Sequence, residues 1–133
     1  MASNESISTK PRLRVLLADD DAGIRSVVAR CLEGDGHSVE TAKDGLQALE
    51  LFKAGAWDVV ITDRVMPGLN GDGLAQAIKE TNPKIPVILV TGSAHRAPDL
   101  RSDGWPFDMI ISKPFKYETI QAAIASFRLR ADL

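Results

Sequence analysis

Val59-Val60-Ile61-Thr62-Asp63-Arg64-Val65-Met66-Pro67-Gly68-Leu69-Asn70-Gly71 is an apolar run that stops on an acid and then turns. Three β-branched aliphatics and a threonine in succession describe a short strand covered on both faces, because a strand with one wet face alternates in polarity. Pro67-Gly68 and Asn70-Gly71 then supply the fixed φ of proline and the positive φ that glycine tolerates, so the chain turns directly after the acid. The expectation is a central strand with Asp63 at its carboxyl end, the edge where open parallel sheets bind ligands. Taken alone, such an aspartate is more often a turn or capping residue, so the surrounding chain has to decide.

The same form recurs on both sides. Val15-Leu16-Leu17-Ala18 stops on Asp19-Asp20-Asp21, Val87 to Val90 stops on Thr91, and Met109-Ile110-Ile111 stops on Ser112-Lys113-Pro114. Ser38 to Ala42 is shorter and half polar, which marks it as an edge strand. Between the strands the period changes to three and four. Ile24, Val27, Val28, Cys31 and Leu32 form one amphipathic stripe, N-capped by Asp21 and closed by Gly34 and Gly36. Leu46, Leu49 and Phe52 with Ala48 form a second, ended by Gly55. Leu74, Ala77 and Ile78 form a third, which stops near Asn82 because Pro83 disfavours helical geometry in the residue before it. Tyr117, Ile120, Ala123, Ile124 and Phe127 form the last. Strands alternating with helices predict an α/β fold: a doubly wound, five-stranded parallel sheet with helices on both faces.

The chain has 133 residues, 44% of them hydrophobic, and a formal net charge of −2. These figures suit one globular domain that buries its core without staples and leaves no room for a second output domain. Both signs of charge are mixed and no basic run offers a footprint for phosphates, which argues against nucleic acid as a partner. No apolar stretch approaches a membrane span and the first residues lack the pattern of a signal peptide, so a soluble cytoplasmic protein with no membrane partner is expected. Residues 1–11 are polar and aperiodic and are expected to form a loose arm before a domain over 12–133. The single cysteine, Cys31, reads as a reduced, buried thiol. His37 and His95 have no partner at metal-ligand spacing and read as surface residues, whereas Trp57 reads as packing beneath a helix.

In a parallel sheet the strand ends Asp19 and Asp20, Asp63, Thr91 and Lys113 converge on one crevice. Carboxylates about 4 Å apart repel by roughly 4 kcal/mol at an effective dielectric near 20, so the crevice calls for a cation. A hard divalent ion such as Mg2+ takes oxygen ligands, commonly one or two carboxylates with water and phosphate oxygens, and Lys113 adds a second positive charge. These parts suit phosphoryl transfer, in which an aspartate can itself be the nucleophile.

Leu16-Leu17-Ala18-Asp19-Asp20-Asp21, the run from Ile61 to Gly71, Val90-Thr91-Gly92-Ser93 and Ser112-Lys113-Pro114-Phe115, in this order and spacing, resemble the receiver domain of two-component response regulators, here of stand-alone type. The resemblance runs from about Arg12 to Leu129 and implies the flavodoxin-like strand order 2-1-3-4-5. It implies that Asp63 is the phosphoacceptor, that Asp20 ligates Mg2+ directly and Asp19 mainly through water, and that the Val65 carbonyl is a further ligand. Thr91 would bond the phosphoryl oxygens, Lys113 would pair with the phosphate, the Lys113–Pro114 bond would be cis, and Asp21 would carry no such role. The donor would be a histidine kinase or a phosphotransfer protein. Phosphorylation would switch a surface that binds an unidentified downstream protein, or the domain would only store phosphate. Such a protein is a signalling module rather than an enzyme with a separate substrate, since it catalyses only its own phosphorylation and dephosphorylation.

The chain departs from the family pattern in two places. Pro98, Gly104 and Pro106 interrupt the segment that normally holds the fourth helix, so that helix is expected to be short or missing. Ile110 stands where an aromatic switch residue is common, which leaves Thr91 as the remaining half of the switch. Trp105 and Phe107 in the irregular segment are either an exposed partner patch or core filler. Two other classes stand beside the leading one. A phosphate-independent binding module is disfavoured because the acids, the threonine and the lysine are all present. A Mg2+-dependent aspartyl phosphatase of the haloacid dehalogenase type needs a second acid two residues after the nucleophile, where this chain has Val65.

Overall fold

The computed structural model describes residues 12–92 and 106–131, with side chains through 127. Five strands, β1 (Arg14–Ala18), β2 (Ser38–Ala42), β3 (Val59–Thr62), β4 (Val87–Thr91) and β5 (Met109–Ser112), form one sheet in the order β2-β1-β3-β4-β5. Every pairing is parallel. Every residue of β3 and β4 is buried, as their continuous apolar runs require, whereas β2 at the edge buries only Ala42 fully. Four helices lie among the described residues: α1 (Ala22–Gly34), α2 (Gly45–Ala54), α3 (Gly71–Thr81) and α4 (Tyr117–Ala131).

The two-residue period of the strands divides the core into two layers. Leu16, Ala18, Val60 and Leu89 face one side, with Ala48 and Phe52 of α2 and Leu74 and Ile78 of α3. Val15, Leu17, Ile61 and Val90 face the other, with Val28 and Leu32 of α1 and Ile120 and Ile124 of α4. Ile78 and Ile124 are almost fully buried, and burial of such a side chain contributes about 1.5–3 kcal/mol.

The helix ends follow their capping residues. Asp21 accepts from the N–H groups of Gly23 and Ile24, Asp44 from that of Gln47, and Asn70 from that of Gly73. The turn after β3 has Gly68 at φ 78°, a conformation that L side chains avoid. Gly71 starts α3 so close to β3 that a Cβ would strike the Asp63 carbonyl.

Some side chains depart from their expected positions. His37 is not a surface residue: it is only 7% exposed, and its Nδ1 accepts from the Leu13 N–H at 3.3 Å. Leu13 ends the chain's approach to β1, and its N–H there needs a partner. Cys31 is a free thiol but only half buried, while Val27 and Leu46, members of the expected apolar stripes, are exposed. Phe107 is core filler in the α2/α3 layer, so the exposed-patch reading fails for it. Ile110 packs against the same layer. Trp57 is buried there, its Nε1–H donating to the Leu51 carbonyl at 3.1 Å. The predicted short or missing fourth helix, His95 and Trp105 fall in 93–105, and the N-terminal arm in 1–11, outside the described residues.

Candidate functional site

The strand ladders deliver the site by continuing one residue past each strand. The Asp19 N–H donates to the Ala42 carbonyl at 3.1 Å, the Asp63 N–H to the Ala18 carbonyl at 3.0 Å, and the Lys113 N–H to the Thr91 carbonyl at 3.0 Å. The first acid, the second acid and the lysine are thereby fixed at the carboxyl edge. Lys113 Nζ donates to Asp19 Oδ2 and to Asp63 Oδ2, both at 2.9 Å. Asp19, Asp20 and Asp63 each offer a carboxylate oxygen within 4.8 Å of the others. Asp19 is 2% exposed and Asp63 9%, while Asp20 is open to solvent.

The second oxygens of the buried acids are also engaged. Asp19 Oδ1 accepts from the Asp21 N–H at 2.9 Å, and Asp63 Oδ1 from the Arg64 N–H at 2.6 Å. Burial pushes the Asp19 carboxyl above its ordinary range, against the Asp21 N–H and the Lys113 ammonium, which favour the charged form. For Lys113 burial acts downward, but the hydrogen bonds to Asp63 and Asp19 together with their charges outweigh it and hold the ammonium above its usual value. Lys113 is therefore charged at neutral pH.

The donor set fits a magnesium ion: three aspartates supply hard oxygens at one point, and the exposed side of Asp20 leaves room for water. Thr91, buried at the end of β4 and in register with Ser112, shares this edge. Val65 lies in the loop after Asp63 and is 69% exposed. The Lys113–Pro114 bond is cis.

Two basic residues at the site escaped the sequence reading. Arg25, in α1, donates from Nη1 to the Asp19 carbonyl at 2.7 Å. Arg64 forms a two-point ion pair with Asp72, Nε to Oδ1 and Nη2 to Oδ2, each 3.2 Å. The only sequence signal was a basic residue next to Asp63. Beside the site runs a mainly apolar groove of about 670 Å³, lined by Ile24, Val27, Lys113, Phe115 and Tyr117 among others. Val27, 61% exposed, stands on its wall.

The family model for the response regulator receiver domain matches residues 15–125. "Probable transcriptional regulator ycf27" of Guillardia theta is 33% identical over 126 residues, which are 95% of this chain and 49% of that protein. Response regulator MprA of Mycobacterium sp. strain KMS is 30% identical over 118 residues, 89% of this chain and 51% of that one. The chain thus spans about half the length of these relatives. Among solved structures, a response regulator receiver domain protein from Clostridium thermocellum superposes with a TM-score of 0.81 at 29% identity, covering 90% of this chain and 97% of that one. Response regulator TrrA of Thermotoga maritima, in complex with Mg2+ and BeF, gives 0.77 at 31% identity, covering 86% and 98%.

Proposed function

The chain belongs to the family of response regulator receiver domains, and on that footing we propose that it accepts a phosphoryl group on Asp63 from a histidine kinase or a phosphotransfer protein. The observation that carries this reading is the Lys113 ammonium 2.9 Å from both Asp19 and Asp63, with Asp20 completing the acidic cluster. A carboxylate oxygen of Asp63 attacks the phosphorus of a phosphohistidine. The O–P bond forms, the P–N bond breaks, and the imidazole nitrogen keeps the electron pair and takes a proton from water. Hydrolysis by water returns the carboxylate and inorganic phosphate.

Asp19, Asp20, Asp63 and the Val65 carbonyl would hold Mg2+, the first of them mainly through water. The ion would neutralise charge on the phosphoryl oxygens. Lys113 turns from the free carboxylates to the phosphoryl group as charge develops there, and the Thr91 hydroxyl donates to the same oxygens. Because the ladder fixes Asp63 and Lys113 before the donor arrives, the chemistry consists mainly of in-line positioning.

The donor is a protein that seats on the apolar groove beside the site, since Lys113 lines both. The transfer would take place in the cytoplasm, where histidine kinases act on their receivers. No described helix is long and apolar enough to cross a membrane. A downstream protein receives the signal. One relative is named as a probable transcriptional regulator, and in a longer protein of that kind DNA would be a downstream partner; the sequence of this domain itself offers nucleic acid no basic run.

Intact mass after incubation with Mg2+ and acetyl phosphate tests the proposal. One phosphoryl group is expected on the wild type and none on Asp63→Asn. A folded, Mg2+-bound wild type that takes up no phosphoryl group, even under rapid quenching, would favour phosphate-independent binding instead.

A further inference from the structure

Arg64 is tied in three directions. Its N–H donates to Asp63 Oδ1 at 2.6 Å, its carbonyl accepts from the Gly71 N–H at 2.7 Å, and its guanidinium grips Asp72 through two hydrogen bonds of 3.2 Å. Asp72 stands in the first turn of α3, where the helix dipole favours a carboxylate. A two-point fork fixes the orientation of the guanidinium as well as its distance. The next residue, Val65, is 69% exposed and so has little packing to anchor its own peptide. The direction of the Val65 carbonyl therefore depends on its neighbours, the buried Met66 and Arg64.

We infer that Arg64 and Asp72 form a clamp that positions the β3–α3 loop for cation binding, so that Arg64, itself a cation, raises the affinity of the site for Mg2+. The inference rests on the proposed function for its ligand and assigns to Arg64 and Asp72 the part of positioning residues. Charge alone predicts the opposite sign for Arg64. A guanidinium adjacent to the acids repels a divalent ion, so its removal in Arg64→Gln would tighten binding, and Arg64→Lys, which keeps the charge, would change nothing. A clamp predicts weaker binding in both, since lysine lacks the fork.

Calorimetric Mg2+ titration of the wild type, Arg64→Gln, Arg64→Lys and Asp72→Asn decides between them, with urea unfolding in EDTA as the control for the fold. The expected result is a dissociation constant roughly tenfold higher in Arg64→Gln and Asp72→Asn, the lower end of what residues orienting metal ligands show. Arg64→Lys falls between these and the wild type, and the urea midpoints in EDTA stay close together. Unchanged or tighter binding by Arg64→Gln, or wild-type binding by Arg64→Lys, overturns the clamp and leaves the phosphoacceptor reading intact. A wild type that binds no Mg2+ overturns both.

Discussion

With its ammonium 2.9 Å from Asp19 and from Asp63, Lys113 offsets a repulsion that reaches about 4 kcal/mol for unit charges 4 Å apart at an effective dielectric near 20. Lys113→Met keeps most of the aliphatic stem and removes the cation. The apoprotein is expected to lose about 2 kcal/mol, less than the roughly 3–5 kcal/mol of a fully buried pair because one side of the lysine meets water. Mg2+ should then stabilise the variant more than the wild type, and urea melts in EDTA and in Mg2+ measure both effects. A second expectation concerns Tyr117, whose hydroxyl donates to Asp35 Oδ2 at 2.7 Å. Burial first, then that hydrogen bond and the Asp35 charge, push its ionisation above the ordinary 10.0. Above pH 10 the unfolded chain loses the phenolic proton that the folded one keeps, so the folded state binds more protons and stability falls as pH rises. Tyr117→Phe should flatten that fall, as chemical denaturation between pH 9 and about 11 would show. At this scale the sequence disclosed Asp19, Asp63 and Lys113 because each ends an apolar run. It hid Arg64–Asp72, since an ion pair eight residues apart across a turn has no periodic signature. It also hid the burial of His37, which answers to a backbone N–H distant in sequence.

Elements carry their own tests. A Cβ on Gly71 would meet the Asp63 carbonyl and the Arg64 Cα, backbone atoms that cannot swing aside. Gly71→Ala is therefore expected to cost about 1–3 kcal/mol in urea unfolding and to weaken Mg2+ binding. Gly34 ends α1 with open space around its Cα, and Gly34→Ala should be neutral or stabilise by up to about 1 kcal/mol. On the groove, Val27→Asp should slow transfer from a phosphorylated protein donor at least several-fold while leaving labelling by acetyl phosphate unchanged, as quenched time courses would show. The strands were legible almost to the residue: β2 and β3 run Ser38–Ala42 and Val59–Thr62, because an apolar run bounded by turn residues leaves little latitude. The stripe of α1 was over-read at Val27, whose spacing suits the core while its neighbours open into the groove. Periodicity reports which face a residue takes, not whether anything covers that face.

At the scale of the whole molecule, a ligand bound only by the folded state stabilises by about 2.7 kcal/mol at 100 times its dissociation constant. For a domain of this size that raises the melting temperature by roughly 10 °C, so calorimetric scans in EDTA and in saturating Mg2+ should differ by about that much, and scans of Asp20→Asn by much less. The sheet order needed the family resemblance, because alternation of strands and helices fixes parallel pairing but not which strand lies inside. The convergence of the strand ends needed only the parallel sheet. Lys113 follows Asp63 by 50 residues and Asp19 by 94, and this separation bears on biosynthesis. As the ribosome extends the chain, both acids emerge well before the lysine that neutralises them. A nascent chain held short of β5 would present the carboxylates of Asp19 and Asp63 without the ammonium that bonds both, and a cation from solution would offset their repulsion until Lys113 arrives. The last strand thus delivers the shared counter-charge after both acids have already been made.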